Sequence, residues 1–382
     1  MHWLCLSSAP PSNDGHLSSA HARTATPVAL LMVLVPLLCS LPAAAQTDDL
    51  ASMTVDQLWE KADTMYKAGD AAGARPIYQY IVDHHGANAE RAAWALYRLC
   101  SISYNERDID TALALIQRVP EQYPESAIHT RGYAAFYLTA IYLVFKKDYQ
   151  AGIDVAEEHL QEFAPQMGWF QLTSVVERLA RCHMGLGDNQ NALAALKRYA
   201  IEFPDLLRQP AWYNAAFDVH VVMRDTAGAL STARAAYALC DFEDKAIQDA
   251  AEIVRRAFIT NGELHKGIQF LAAQEDAGKP NPLTEVPMPQ LTPEEQEQLL
   301  QAAGEDKPKR LLVLVYMGQA DAAIATALGY MCEAGGDEAV SSLKEVARAL
   351  KAADCNVVRA NQFINYAKTG EGENPVADVV PE

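Results

Sequence analysis

One phrase returns along the whole chain: an acidic residue at a turn, then a small residue four positions later. It occurs as Asp70 with Ala74, Asp108 with Ala112, Asp148 with Gly152, Asp188 with Ala192, Asp225 with Ala229 and Glu263 with Gly267. Successive acidic residues stand 38, 40, 40, 37 and 38 positions apart, and Gln319 with Ala323 is a weaker seventh copy. A period of this length constrains the architecture more than any composition does. Each copy is one supersecondary unit that cannot bury its apolar face alone, so the copies must stack to make a continuous core.

Within a period the apolar residues recur at three- and four-residue spacing on both sides of the turn. Leu96, Leu99 and Cys100 precede it, and Ala112, Ile116 and Val119 follow it. This is the pattern of two amphipathic helices. The second helix of a period stops near Tyr123-Pro124, Ala164-Pro165 or Phe203-Pro204, because proline cannot continue a helix. Thr54 with Gln57, and Thr292 with Glu295, fit capping boxes that open helices.

Small residues midway along the first helix (Ala62, Cys100, Ala140, Ala180, Ala216), an acidic turn, and small residues early in the second helix (Ala74, Ala112, Ala192, Ala229) resemble the tetratricopeptide repeat. The resemblance runs from about Thr54 to Lys279. It implies an all-α fold, a right-handed α-α superhelix whose paired helices approach closely at those positions. A larger side chain there would overpack by about 1–3 kcal/mol. The period is longer than the usual length of about 34 residues. The fifth copy needs a one-residue shift to align Trp212, Ala215, Ala216 and Val219, and the sixth has Val254 or Arg255 at the small position. In length and closing proline the repeats are also similar to those of bacterial envelope proteins, such as the repeat component of the outer-membrane assembly machine and the repeat partner of the Tol–Pal system.

The ends read differently. Residues 1–45 have the form of a signal peptide: Arg23, the apolar run Pro27 to Leu41, then Ala43-Ala44-Ala45 as the cleavage site. Residues 46–279 are the repeats, 280–291 a proline-rich connector, and 292–369 further helices. Those helices include a seventh hairpin near Arg310–Tyr316 and Ala320–Met331, and a final pair that caps the stack. Residues 370–382 read as a disordered acidic tail. No second apolar run of membrane-spanning length follows the first.

The net charge of −18 would repel a polyanionic duplex, so nucleic acid is a poor partner. Five cysteines follow Ala45, far apart and without a C-x-x-C, so neither a disulfide framework nor a zinc site is expected. No nucleotide-loop, nucleophile-elbow or H-E-x-x-H pattern occurs. No catalytic residue, cofactor or metal is therefore expected. Protein or peptide partners are.

In the tetratricopeptide family the residue three places before the first-helix small position faces the inner, concave wall. Here it is Trp59, Tyr97, Tyr137, Glu177 and Tyr213, and one turn further lie Tyr66, Tyr104, Val144, Met184 and His220. Trp and Tyr give large contact area at small entropic cost, which suits peptide binding. The competing reading has the rings packed between repeats. Arg178 and Arg181 fall on the same wall, where they would clamp a partner's carboxylate or pair with neighbouring acids. The functional expectation is an exported, non-catalytic scaffold for protein or peptide partners in the cell envelope. The alternatives are a cell-wall or glycan-processing enzyme on a helical solenoid, and a structural component that self-associates through the ends of its superhelix.

Overall fold

The computed structural model describes residues 50–126, 128–240, 243–276, 279–333, 346–353, 355 and 360–365. The chain divides into two units, Met1–Ser52 and Met53–Glu382. The signal-peptide reading at 1–45, the tail at 370–382 and parts of the last expected helix pair lie outside the described residues. All that follows concerns the second unit, in which every described regular element is helical.

Six helical pairs follow one another: α1 (Val55–Lys67) with α2 (Ala71–His84), α3 (Ala89–Asn105) with α4 (Ile109–Gln122), and α5 (Ile128–Ala140) with α6 (Tyr149–Phe163). Then come α7 (Trp169–Gly185) with α8 (Asn189–Glu202), α9 (Pro210–Met223) with α10 (Thr226–Leu239), and α11 (Asp244–Thr260) with α12 (Leu264–Glu275). Each helix packs on its pair-mate and each pair on the next, the tandem packing of an α-solenoid.

The recurring acidic residue is a helix cap. Asp70, Asp108, Asp148, Asp188 and Asp225 each stand at the N-cap of a second helix, and each carboxylate accepts a bond from the backbone N–H three residues on, at 2.8 to 3.2 Å. The residue before the cap is left-handed: Gly69, Gly187 and Gly262 in three pairs, Arg107, Lys147 and Arg224 in the others. The turn therefore demands a positive φ, and glycine meets it without strain in half the copies. Both capping boxes form, at Thr54 and at Thr292.

The small positions are where the helices meet. Ala62, Cys100, Ala140, Ala180 and Ala216 on first helices, and Ala74, Ala112, Ala192 and Ala229 on second helices, are all buried. Cys182, Cys240 and Cys355 are likewise free and buried, small apolar packing residues like Cys100. In the sixth pair Val254 is buried at the position where its predecessors are small, and Arg255 points outward.

After the connector, α13 (Pro293–Ala303), α14 (Lys307–Tyr316) and α15 (Ala320–Glu333) follow, and residues 346–353 and 360–365 are also helical. The hairpin of α14 and α15 turns at left-handed Gly318 and buries Ala323, as the weak seventh copy requires. Its place is not the seventh in the stack. α13 rests on α8, and α14 rests on α10 and on the short 3-10 turn Pro204–Arg208. Lys197 to Glu295 at 3.2 Å and Lys309 to Asp205 at 3.4 Å are ion pairs across that contact. Arg234 on α10 donates to the connector carbonyls of Thr284 and Val286. Buried Lys351 donates to the carbonyl of Cys240, and the carbonyl of Cys355 accepts from Gln274 and Asn281. The C-terminal helices thus come back against the repeats.

Candidate functional site

The first helices α1, α3, α5 and α7 bring their rings into one continuous series. The Trp59 centroid lies 6.4 Å from Trp94, Trp94 lies 5.3 Å from Tyr97, and Tyr97 lies 4.9 Å from Tyr133 and 5.5 Å from Tyr137. Tyr137 continues to Tyr104 at 5.2 Å and to Phe136 at 5.5 Å. Phe136 meets Phe170 at 5.8 Å, and Phe170 meets Trp169 at 6.0 Å. These tilted and edge-to-face spacings are those of favourable ring pairs.

Hydrogen bonds lock the tyrosines. The Tyr137 hydroxyl donates to Ser101 Oγ at 3.0 Å, and Ser101 also pairs with the Tyr66 hydroxyl at 3.0 Å, so one buried serine on α3 ties α1 to α5. Burial pushes the Tyr137 phenol up to about 12, and it raises those of Tyr97 and Tyr104 as well. All three stay neutral over any physiological pH and keep a proton to donate.

Cations border the rings. Arg98 lies over Tyr66 at 4.8 Å and Tyr97 at 5.8 Å while bonded to Asp63, and Arg91 lies over Trp59 at 5.3 Å. Arg178 stacks on Phe136 at 3.9 Å and donates to the Phe136 carbonyl. Burial lowers its pKa to about 10, opposed by Glu177. Among the described residues no carboxylate forms an ion pair with it. Arg181 behaves otherwise: it bonds Glu177 at 2.9 Å and Asp218 at 3.2 Å, and Asp218 in turn holds Arg256 at 2.7 Å. The ion-pair reading holds for Arg181, and Asp63, Glu177 and Asp218 are each engaged by arginine.

Two sequence expectations need correction. Tyr213 does not line this wall: it is fully buried, its ring 4.7 Å from Trp212, with burial raising its phenol and its hydroxyl left without a partner among the described residues. The returning C-terminal helices close over this part of the array, and Tyr316 of α14 is buried there too. Nor is Val144 the ladder residue of the third pair. Ile141–Lys146 is a π-helical turn, which inserts one residue, so Phe145 meets Tyr104 at 5.4 Å, with Arg107 over its face at 5.8 Å.

The ladder contains rings that the family position alone does not pick out: Trp94, Tyr133, Phe136, Phe145, Trp169 and Phe170. Trp94 and Tyr133 had a signal, standing one helical turn before Tyr97 and Tyr137 on the same face. Trp169 and Phe170 are the most open rings of the series, 62% and 44% exposed. Elsewhere a cavity of about 380 Å³ lies between α8, α9, α10, the connector and α14, but its charged lining is already matched, Lys197 to Glu295 and His220 to Asp225.

Residues 91–126 and 177–205 match the family model described as Tetratricopeptide repeat. The chain carries tetratricopeptide-like repeats. The first match spans α3 and α4, the second the latter half of α7 with α8, so the tetratricopeptide signature falls on two of the pairs that supply the ladder. No curated protein matches the chain. Tetratricopeptide repeats point to a scaffold for protein partners, and no described helix is long and apolar enough to cross a membrane.

Proposed function

We propose that this protein is a non-catalytic scaffold that holds a peptide segment of a partner against the ring ladder of α1, α3, α5 and α7. The observation that carries the reading is the continuity of the rings. They run from Trp59 to Trp169 without a polar break, half-buried at one end and open at the other. A core stripe would be closed throughout. Here Trp169 and Phe170 offer anchor surface, and Arg178, stacked on Phe136 of the same series, is a desolvated cation able to receive an acidic group of the bound segment. The amino-terminal sequence supports an exported protein, and the long repeats support a place in the bacterial cell envelope.

The test is peptide selection from a displayed random library on the purified protein, followed by fluorescence polarisation with the selected sequence. Trp169→Ala and Phe170→Ala should each weaken binding by about tenfold, the effect of a modest hot spot, with the helical circular dichroism unchanged. Equal affinity in both variants would move the binding surface off the ladder.

A further inference from the structure

The cavity of about 380 Å³ between the fourth and fifth pairs and the returning chain is lined by residues that the ring ladder does not use. Leu193 of α8, Trp212 and Ala216 of α9 and Met288 of the connector give it apolar surface. Pro287 and Pro289 carry no backbone N–H, so the connector wall leaves few donors to satisfy. That wall is held in place. Arg234 donates to the carbonyls of Thr284 and Val286, and Met288 lies against Gly318, where an added Cβ would come within 3.6 Å of it. The volume falls toward the lower end of the range for preformed small-molecule sites, about 300–1,000 Å³.

Two phenols of the lining are not satisfied by the protein. Tyr213 of α9 is fully buried, and its hydroxyl has no hydrogen-bond partner among the described residues. Tyr316 of α14 is also buried and likewise makes no hydrogen bond to a described residue. Burial raises both phenols, and Tyr316 is near enough to raise that of Tyr213 further. Both stay protonated and present neighbouring O–H donors. The Trp212 N–H, by contrast, is bonded to the Leu196 carbonyl at 3.1 Å, and Ser231 Oγ donates to the Gly228 carbonyl at 3.1 Å. Charges are matched as well. Lys197 meets Glu295 at 3.2 Å, and the two oxygens of Asp225 are engaged by His220 and by the Gly228 N–H, each at 2.9 Å. Glu295 also stands close enough to raise the Tyr316 phenol, so an anion placed there would be repelled.

We infer that this cavity is a binding site for a compact, uncharged, largely apolar molecule whose carbonyl oxygen accepts from Tyr213 and Tyr316. A carbonyl oxygen has two lone pairs and takes both donors, and a buried hydroxyl without an acceptor is costly. A charged ligand would bring an ion for which the lining holds no counter-ion. A molecule of about two fused rings has the right size. The site lies apart from the ladder on α1, α3, α5 and α7, so the two readings stand or fall separately.

Propionyl-dimethylaminonaphthalene, an uncharged fluorescent ketone, is the probe. Titrated with the full chain, it should saturate at one molecule per chain, with its emission shifted to shorter wavelength. Tyr213→Phe and Tyr316→Phe each remove one donor and keep the ring, so each should weaken the ketone by about three- to tenfold. Dimethylaminonaphthalene, which lacks the carbonyl, should bind both variants as it binds the parent chain. That contrast separates carbonyl recognition from a change of packing. Ser231→Phe adds bulk at a half-buried lining position and should abolish binding of both probes. Trp169→Ala and Leu271→Glu alter open apolar surface elsewhere and should leave binding unchanged. Neither tyrosine variant should unfold at lower temperature than the parent, since no hydrogen bond is lost. Four results would each overturn the proposal: no saturable binding, binding indifferent to Ser231→Phe, ketone affinity unmoved by both tyrosine variants, or equal loss of both probes in those variants.

Discussion

At Gly152 one added carbon is enough to disturb the fold. A Cβ there would stand 2.6 Å from Cys182 Sγ, which is buried on α7 with little room to withdraw. Gly152→Ala should destabilise the protein by about 1–3 kcal/mol in urea unfolding, the range for overpacking. Combining it with Cys182→Ala should recover part of the loss, which a double-mutant cycle would show as coupling. Gly267, the equivalent residue of the sixth pair, is the contrast. A Cβ would meet only Phe258 Cβ, at 3.6 Å, so Gly267→Ala should stabilise by up to about 1 kcal/mol through reduced unfolded-chain entropy. The cap carboxylates add a pH dependence. Asp108 is held below the ordinary carboxylate range by hydrogen bonds from Thr111, and Asp188 by hydrogen bonds from Asn191. A depressed folded pKa means stability that is complete above the unfolded value and lost as pH falls through the folded one. Asparagine caps as well as aspartate but does not titrate. The double variant Asp108→Asn with Asp188→Asn should therefore flatten the fall of the thermal midpoint between about pH 5 and pH 3.

Between elements, the decisive contacts are those that bring the connector back. Arg234 spans α10 to the carbonyls of Thr284 and Val286, which otherwise would look for water. Arg234→Ala should leave the repeats folded but loosen the connector, seen as faster limited proteolysis within the stretch Val286 to Gln290. The π-helical turn at the end of α5 is the other element-level feature. Its extra residue rotates Phe145 onto Tyr104, and no periodicity count on the first helix anticipates an insertion of that kind. The recurring acidic turn, by contrast, was legible as a spacing, and the structure adds what each acid does there. A carboxylate cap and a left-handed residue before it are local requirements, met within four residues of chain.

For the whole molecule, the return of α13 and α14 onto α8 and α10 changes what the repeats can do alone. An unbranched solenoid loses stability in increments as end repeats are removed. Here removal of residues 280–382 would uncover the fourth and fifth pairs, where Trp212, Tyr213 and Tyr316 are buried together. The truncated chain should melt at markedly lower temperature than the intact one and bind a hydrophobic dye in the folded state. Incremental loss with no dye binding would show that the returning helices are ornaments on an independent array.

Period, helical pairing, small contact residues and caps are set by interactions within one or two turns of helix, so they could be read from residues at fixed spacing. Ala112, Ala180 and Ala192 are buried for the reason their positions imply. Which side of the array the last helices would choose is a long-range matter. Lys197 meets Glu295 and Lys351 meets Cys240 across 98 and 111 residues, and no local pattern records such partners. That choice moved Tyr213 from wall to core and left Leu271 uncovered, because the area a ring or a leucine buries depends on what arrives from elsewhere in the chain, not on its own neighbours.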